Sequence, residues 1–173
     1  MKRSSALVVS AMLLIVALSL PAGAIPPPGP WNDLVIQEYT PGDGASGTPV
    51  TDNFISSNPA DQLLEQKGRP GRKVYFQITV QNTVPTSGIE YCNASFPTGK
   101  IKGKVIYELA DVTSEWLDAT YSVDIAASAS LVYVFRASIG KRAKVGTSKD
   151  FEFTCTSSVT AIVDSVTARV TVK

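Results

Sequence analysis

The 173-residue sequence contains no histidine. That side chain is the commonest general base and a principal zinc ligand, so neither a Ser-His-Asp nor a Cys-His arrangement can be assembled and no ordinary zinc site is expected. Cysteine is limited to two residues and aromatic side chains to 8% of the chain. Beyond residue 24 no apolar run approaches the roughly 20 residues that a membrane-spanning helix needs. Excess charge is lacking as well: without Lys2 and Arg3, 14 of the 16 basic residues face 15 acidic ones. A balance this close to neutral predicts no nucleic-acid partner and no general attraction to an anionic membrane.

Residues 1–24 have the three parts of a secretory leader. Lys2 and Arg3 precede an apolar run from Ala6 to Leu20, and Pro21 leads into the small-residue end Ala22-Gly23-Ala24. The run is about 15 residues long, too short to span a bilayer. Cleavage there starts the mature chain at Ile25, and 173 residues less 24 leave 149, the size of one domain with a single core. In an exported chain two cysteines predict one disulfide, Cys92 to Cys155, because a reactive thiol would lack a histidine to activate it. In the chain-entropy model a crosslink over that loop contributes about 4 kcal/mol.

Residues 73–81 alternate cleanly, with Val74, Phe76, Ile78 and Val80 on one face and Lys73, Tyr75, Gln77, Thr79 and Gln81 on the other. This is a strand with one wet face. The same period returns where Phe151, Phe153 and Cys155 oppose Glu152, Thr154 and Thr156, and where Val166, Ala168, Val170 and Val172 oppose Thr167, Arg169, Thr171 and Lys173. Weaker strand patterns cover residues 89–96, 104–109, 121–126 and 131–138, and turn-rich segments at 85–88, 97–103 and 140–148 separate them. The expected fold is an all-β sandwich, immunoglobulin-like or jelly-roll, of seven to nine antiparallel strands. Residues 58–67 read as one short helix, with Asn58 as cap, Pro59 at its first position and Gly68 past its end, or as an irregular first strand. The expected organisation is a leader at 1–24, an extended segment with one strand at 25–57, and the sandwich at 58–173. Within the extended segment, "IPPPGPW" favours polyproline geometry, "LVIQEY" a strand and "TPGDGASGTPVTDN" a loop.

The stretch "PGRKVYFQITVQNT" resembles the second-strand signature of immunoglobulin-like repeat domains of prokaryotic cell-surface and secreted proteins. The matching residues are Pro70, Gly71, Val74, Phe76, Ile78, Val80 and Asn82. The terminal "FEFTCTSSVTAIVDSVTARVTVK" is similar to the last two strands of such domains, with Asp164-Ser165-Val166 opening the final one. Together these segments cover less than half of the mature chain. Where the family usually has Asn-Thr-Gly, this chain has Asn82-Thr83-Val84-Pro85, and the antibody pattern of cysteine in the second strand is absent. The resemblance implies that Cys92 lies in the third strand and Cys155 in the sixth, so that the bridge joins neighbours within one sheet. A looser architectural similarity, carried by no residue motif, is to TasA-like and archaeal bundling-pilus fibre subunits, which implies joining of copies by N-terminal strand donation.

Candidate sites are few. Glu108, Asp111, Glu115 and Asp118 surround Trp116, where paired carboxylates and a stacking ring would suit a carbohydrate; the plainer reading is a solvated loop with one aromatic plugging the core. Asp43, Asp52 and Asn53 offer oxygen ligands without the spacing of a calcium loop, so no metal and no cofactor are expected. Lys141, Arg142, Lys144 and Lys149 read as a solvated loop between strands, with acidic polymer as the alternative. Asn93-Ala94-Ser95 is a glycosylation sequon, and Asn93 has the opposite parity to Cys92, so it should face solvent. Leu34 and Ile36 share one face of the N-terminal strand and Val35 and Tyr39 the other, which suits docking at home or donation to the next copy.

The expected function is a secreted, non-enzymatic structural subunit of an extracellular or cell-surface assembly, polymerising through that strand. Its partners would be copies of itself or other surface proteins. The alternative is a secreted adhesion or carbohydrate-binding module that takes polysaccharide near Trp116.

Overall fold

The computed structural model describes residues 32–50 and 62–173. The leader, the proline-rich stretch, Asp52, Asn53 and the capping residues Asn58 and Pro59 lie outside the described residues. Along the chain run β1 (Asn32–Thr40), β2 (Gly44–Val50), β3 (Leu63–Gly68), β4 (Lys73–Asn82), β5 (Gly88–Ser95), β6 (Ile101–Tyr107), β7 (Ala110–Asp111), α1 (Thr113–Leu117), β8 (Ser122–Ile125), β9 (Ser130–Ile139), β10 (Ser148–Ser157) and β11 (Val163–Val172). They form a six-stranded sheet in the order β2, β1, β4, β9, β6, β7 and a five-stranded sheet in the order β3, β11, β10, β5, β8. The run β1, β4, β9, β6 and the run β5, β10, β11 repeat the pairing order of an immunoglobulin constant-type sandwich, which settles the fold against a jelly roll.

Parity builds the interior. Val74, Phe76, Ile78, Val80, Phe151, Phe153, Val166, Val170 and Val172 are all buried, as the alternation requires. Phe135 lies 4.9 Å from Phe151 and 5.1 Å from Phe153, centroid to centroid, and Phe96 closes the cluster. Each such ring withdrawn from water stabilises by about 1.5–3 kcal/mol. Gly103 makes room for the cluster, since a Cβ there would stand 2.6 Å from the Phe135 ring. In the turn before β4, Gly71 has φ 77° behind Pro70, and the Arg72 N–H closes on the Arg69 carbonyl at 3.1 Å. That is type II chemistry.

Two expectations are corrected and one alternative is decided. Eleven strands stand among the described residues rather than seven to nine, because β2 and β7 join the eight strands patterned in the sequence and the strand reading of residues 58–67. Of the two readings of residues 58–67 the strand holds from Leu63 on: β3 runs parallel to β11 from Leu63 opposite Thr167 to Gly68 opposite Val172. A helix would have left the edge of β11 without ladder partners, and local capping signals do not sense that demand. Residues 44–50, expected as loop, form β2 in antiparallel register with β1. Glycine and proline are tolerated there because the strand is an exposed edge.

Candidate functional site

Cys92 and Cys155 oppose each other directly in the β5–β10 ladder, with Cα atoms 4.1 Å apart and sulfurs bonded at 2.05 Å. The Cys92 N–H donates to Tyr121 O on the other side of the strand, so the cysteines occupy a non-hydrogen-bonded pair, where side chains approach most closely. The bridge joins neighbours within one sheet and both cysteines are buried.

The N-terminal strand is enclosed by its own sheet. β1 pairs with β2 on one side and β4 on the other, Leu34 and Ile36 enter the core, and Val35 is buried on the opposite face. Tyr39 meets Tyr75 at 6.5 Å on that outer face. Asn93 is exposed on β5 opposite Thr154, as its parity requires.

Trp116 corrects a site expectation. It is 0% exposed, wedged among Tyr133 at 5.1 Å, Phe153 at 5.6 Å and Tyr121 at 6.0 Å. Its ring therefore presents no face on which a sugar could stack. The carboxylates around it are held by neighbours. Asp111 accepts from Lys104 and Thr113, which pulls its pKa down to about 2, and Asp118 is lowered by bonds from Thr120. Among the described residues no group of three metal-ligating side chains gathers, and no helix is long and apolar enough to cross a membrane.

The two ends of the sandwich differ in kind. At the end where β4 stops and β5 and β11 start, the connecting loops 83–87, 126–129 and 158–162 contain no charged residue. Polar groups lie buried just beneath. Asn82 donates through Nδ2 to the carbonyls of Thr86, Ile125 and Ala126 at 3.0–3.2 Å and accepts from the Val84 N–H at 3.0 Å. It is the strand-ending residue that the sequence marks, and it stitches two loops together. Asp164 accepts from Leu34 N–H at 2.6 Å, Gln62 Nε2 at 2.7 Å and Ser165 N–H at 2.8 Å, tying β1 and the start of β3 to β11. Glu90, also buried, has its carboxyl pushed up to about 7 by desolvation, with a bond from Ser157 acting against the rise. Neither acid was singled out as a site from the sequence, although each shares the core-facing parity of its strand, with Cys92 and with Val166.

At the opposite end the loops 69–72, 96–100 and 140–147 carry Arg69, Arg72, Lys100, Lys141, Arg142 and Lys144 and no acid. Asp43 stands apart in the β1–β2 turn. The backbone there is knitted: Gly140 N–H donates to Lys100 O at 2.7 Å, Gly71 N–H to Ile139 O at 2.9 Å and Gly146 N–H to Val172 O at 2.8 Å, while Lys100 Nζ reaches Arg142 O at 3.0 Å. Loops 96–100 and 140–147, with the ends of β6 and β9, border an open cleft of about 540 Å³ lined by Gly99, Lys100, Lys102, Ser138, Ile139, Gly140, Lys141 and Arg142. The ion pairs among the described residues are Lys104 with Asp111 and Arg169 with Asp150, so the cations of the cleft face no carboxylate at pairing distance. Lys149 lies beside that second pair in a neighbouring depression. The sequence shows only the 140–149 part of this cluster; its meeting with residues 69–72 and 99–102 is a product of topology.

Neither a protein-family model nor a curated protein sequence matches the chain. Solved structures are similar only at low identity. A family 123 glycoside hydrolase from Clostridium perfringens aligns over 64% of this chain and 23% of its own length, at 10% identity and TM-score 0.45. The N-terminal domain of PorA aligns over 81% of this chain and 97% of its own, at 11% identity and TM-score 0.40. A PapD-like domain of human CEP192 aligns over 64% and 79%, at 8% identity and TM-score 0.37. The chain thus spans under a quarter of the hydrolase. The sandwich itself rests on the strand pairing.

Proposed function

We propose that this protein is an exported, non-enzymatic adhesion domain that works by surface contact at the cell exterior. One observation carries this reading over a strand-donating fibre subunit: β1 is closed between β2 and β4 of its own sheet, with Leu34 and Ile36 buried and the Leu34 N–H held by Asp164. A domain complete in itself needs no strand from a second copy. The disulfide suits an oxidising compartment, and the rigid sandwich presents loop clusters at its ends, the usual place for recognition.

A second reading is retained because β1 and β2 form a contiguous hairpin whose sole ladder to the rest of its sheet is β1 to β4. Exchange of that hairpin between copies would preserve every other pairing and build an assembly. Sedimentation of the mature protein, alone and with insoluble neutral and acidic polysaccharides, separates the two. Monomers that co-sediment with a polymer support adhesion. Concentration-dependent fibres that ignore every polymer support hairpin exchange and overturn it.

A further inference from the structure

Overall charge balance argues against any general attraction to polyanions, yet the cations are not spread evenly. We infer that the cleft at the basic end binds an acidic polysaccharide; this names the partner of the proposed adhesion domain and rests on that reading.

Three features carry the inference. The cations flank the cleft from both sides, Lys100 and Lys102 along one wall and Lys141 and Arg142 along the other, and none pairs with a carboxylate among the described residues. Like charges held together raise one another's energy and are relieved by a multivalent anion. Next, Ile139 is turned into the core and Gly99 and Gly140 carry no side chain, so the space between the two walls stays open and the carboxylates of an acidic polymer can reach the ammonium and guanidinium groups. Finally, the loops are held by backbone hydrogen bonds to the ends of β6, β9 and β11, so little ordering cost attends binding.

Other polyanions fit less well. Single-stranded nucleic acid binds where bases stack on aromatic rings, and the one aromatic in these three loops, Phe96, is committed to the core against Phe135, Phe151 and Phe153. An anionic bilayer is joined most firmly through inserted apolar side chains, and Val145 is the lone large apolar side chain that these loops expose to insert. Each exposed ion contact is weak, so affinity comes from several together and must fall with salt.

The test is binding of the mature protein to polygalacturonate by isothermal titration, with dextran and equimolar phosphatidylcholine–phosphatidylglycerol vesicles as comparisons. The expected result is binding to polygalacturonate alone, weakened about tenfold or more by raising salt from low to roughly 0.5 M. The triple variant K102Q/K141Q/R142Q should lose at least about tenfold of the affinity, as expected for removal of three charge contacts. These side chains are exposed, so the variant should melt with the wild type, and S87Q/A127Q at the opposite end should bind normally. Equal binding by the triple variant, or a preference for the vesicles, overturns the inference. Binding of dextran as tightly as polygalacturonate overturns it while leaving adhesion standing. Fibres with no binding to any polymer sink both.

Discussion

One end of the sandwich hides its polar chemistry and the other displays it. Around Asn82, Glu90 and Asp164 the polar groups are buried beneath loops that carry no charge, and their hydrogen bonds hold strands in place. Around Lys100 and Arg142 the charged groups are exposed and meet no carboxylate among the described residues, and the loops are held by backbone hydrogen bonds and by Lys100 Nζ on the Arg142 carbonyl. Buried amide and carboxyl groups thus serve stability at one end, and exposed cations stand ready for contact at the other. Substitutions at the first end should change folding without touching binding, and those at the second should do the reverse.

The largest effect is expected at Asp164. Asp164→Ala strands the Leu34 N–H and the Gln62 amide in a buried site, each costing about 1–3 kcal/mol, so thermal or chemical unfolding should report a loss of about 4 kcal/mol. Glu90 gives a pH-dependent effect. Its folded pKa of about 7 lies above the ordinary 4.5, so the native state keeps a proton that the unfolded chain releases. Its contribution to stability is therefore fully present below about pH 4.5 and is lost as pH rises through 7. Glu90→Gln should flatten that decline, gaining up to about 3 kcal/mol at pH 8 and little at pH 4 in denaturant titrations. Asn82→Ala, which frees three carbonyls and the Val84 N–H, should cost about 2 kcal/mol and loosen the 83–87 and 126–129 loops in hydrogen exchange. Smallest of all, K102Q/K141Q/R142Q should shift unfolding by no more than about 0.5 kcal/mol, as exposed substitutions do.

Much of this architecture is legible in the residues. Alternation in β4, β10 and β11 places the core, and the cysteine parity places the disulfide, because period-two burial is a local property. What escapes is nonlocal. Helix-capping signals precede β3 in the sequence, and the open edge of β11, about a hundred residues later, makes it a strand. β2 has strand formers only in Thr48 and Val50 and exists because β1 offers it a ladder. Trp116 reads more plainly as a core plug than as a sugar platform, and the neighbours Tyr133 and Phe153 from β9 and β10 decide for the plug. The basic end is likewise invisible in the run at 140–149 alone, since its other cations come from two distant loops.

The contrast between the ends is tested most directly by titrating oligogalacturonate into isotope-labelled protein and following backbone amide shifts. The account predicts saturable shifts at residues 97–102 and 138–144 with residues 83–87 and 126–129 unmoved. Shifts centred on the uncharged end, or spread evenly over the surface, would contradict it.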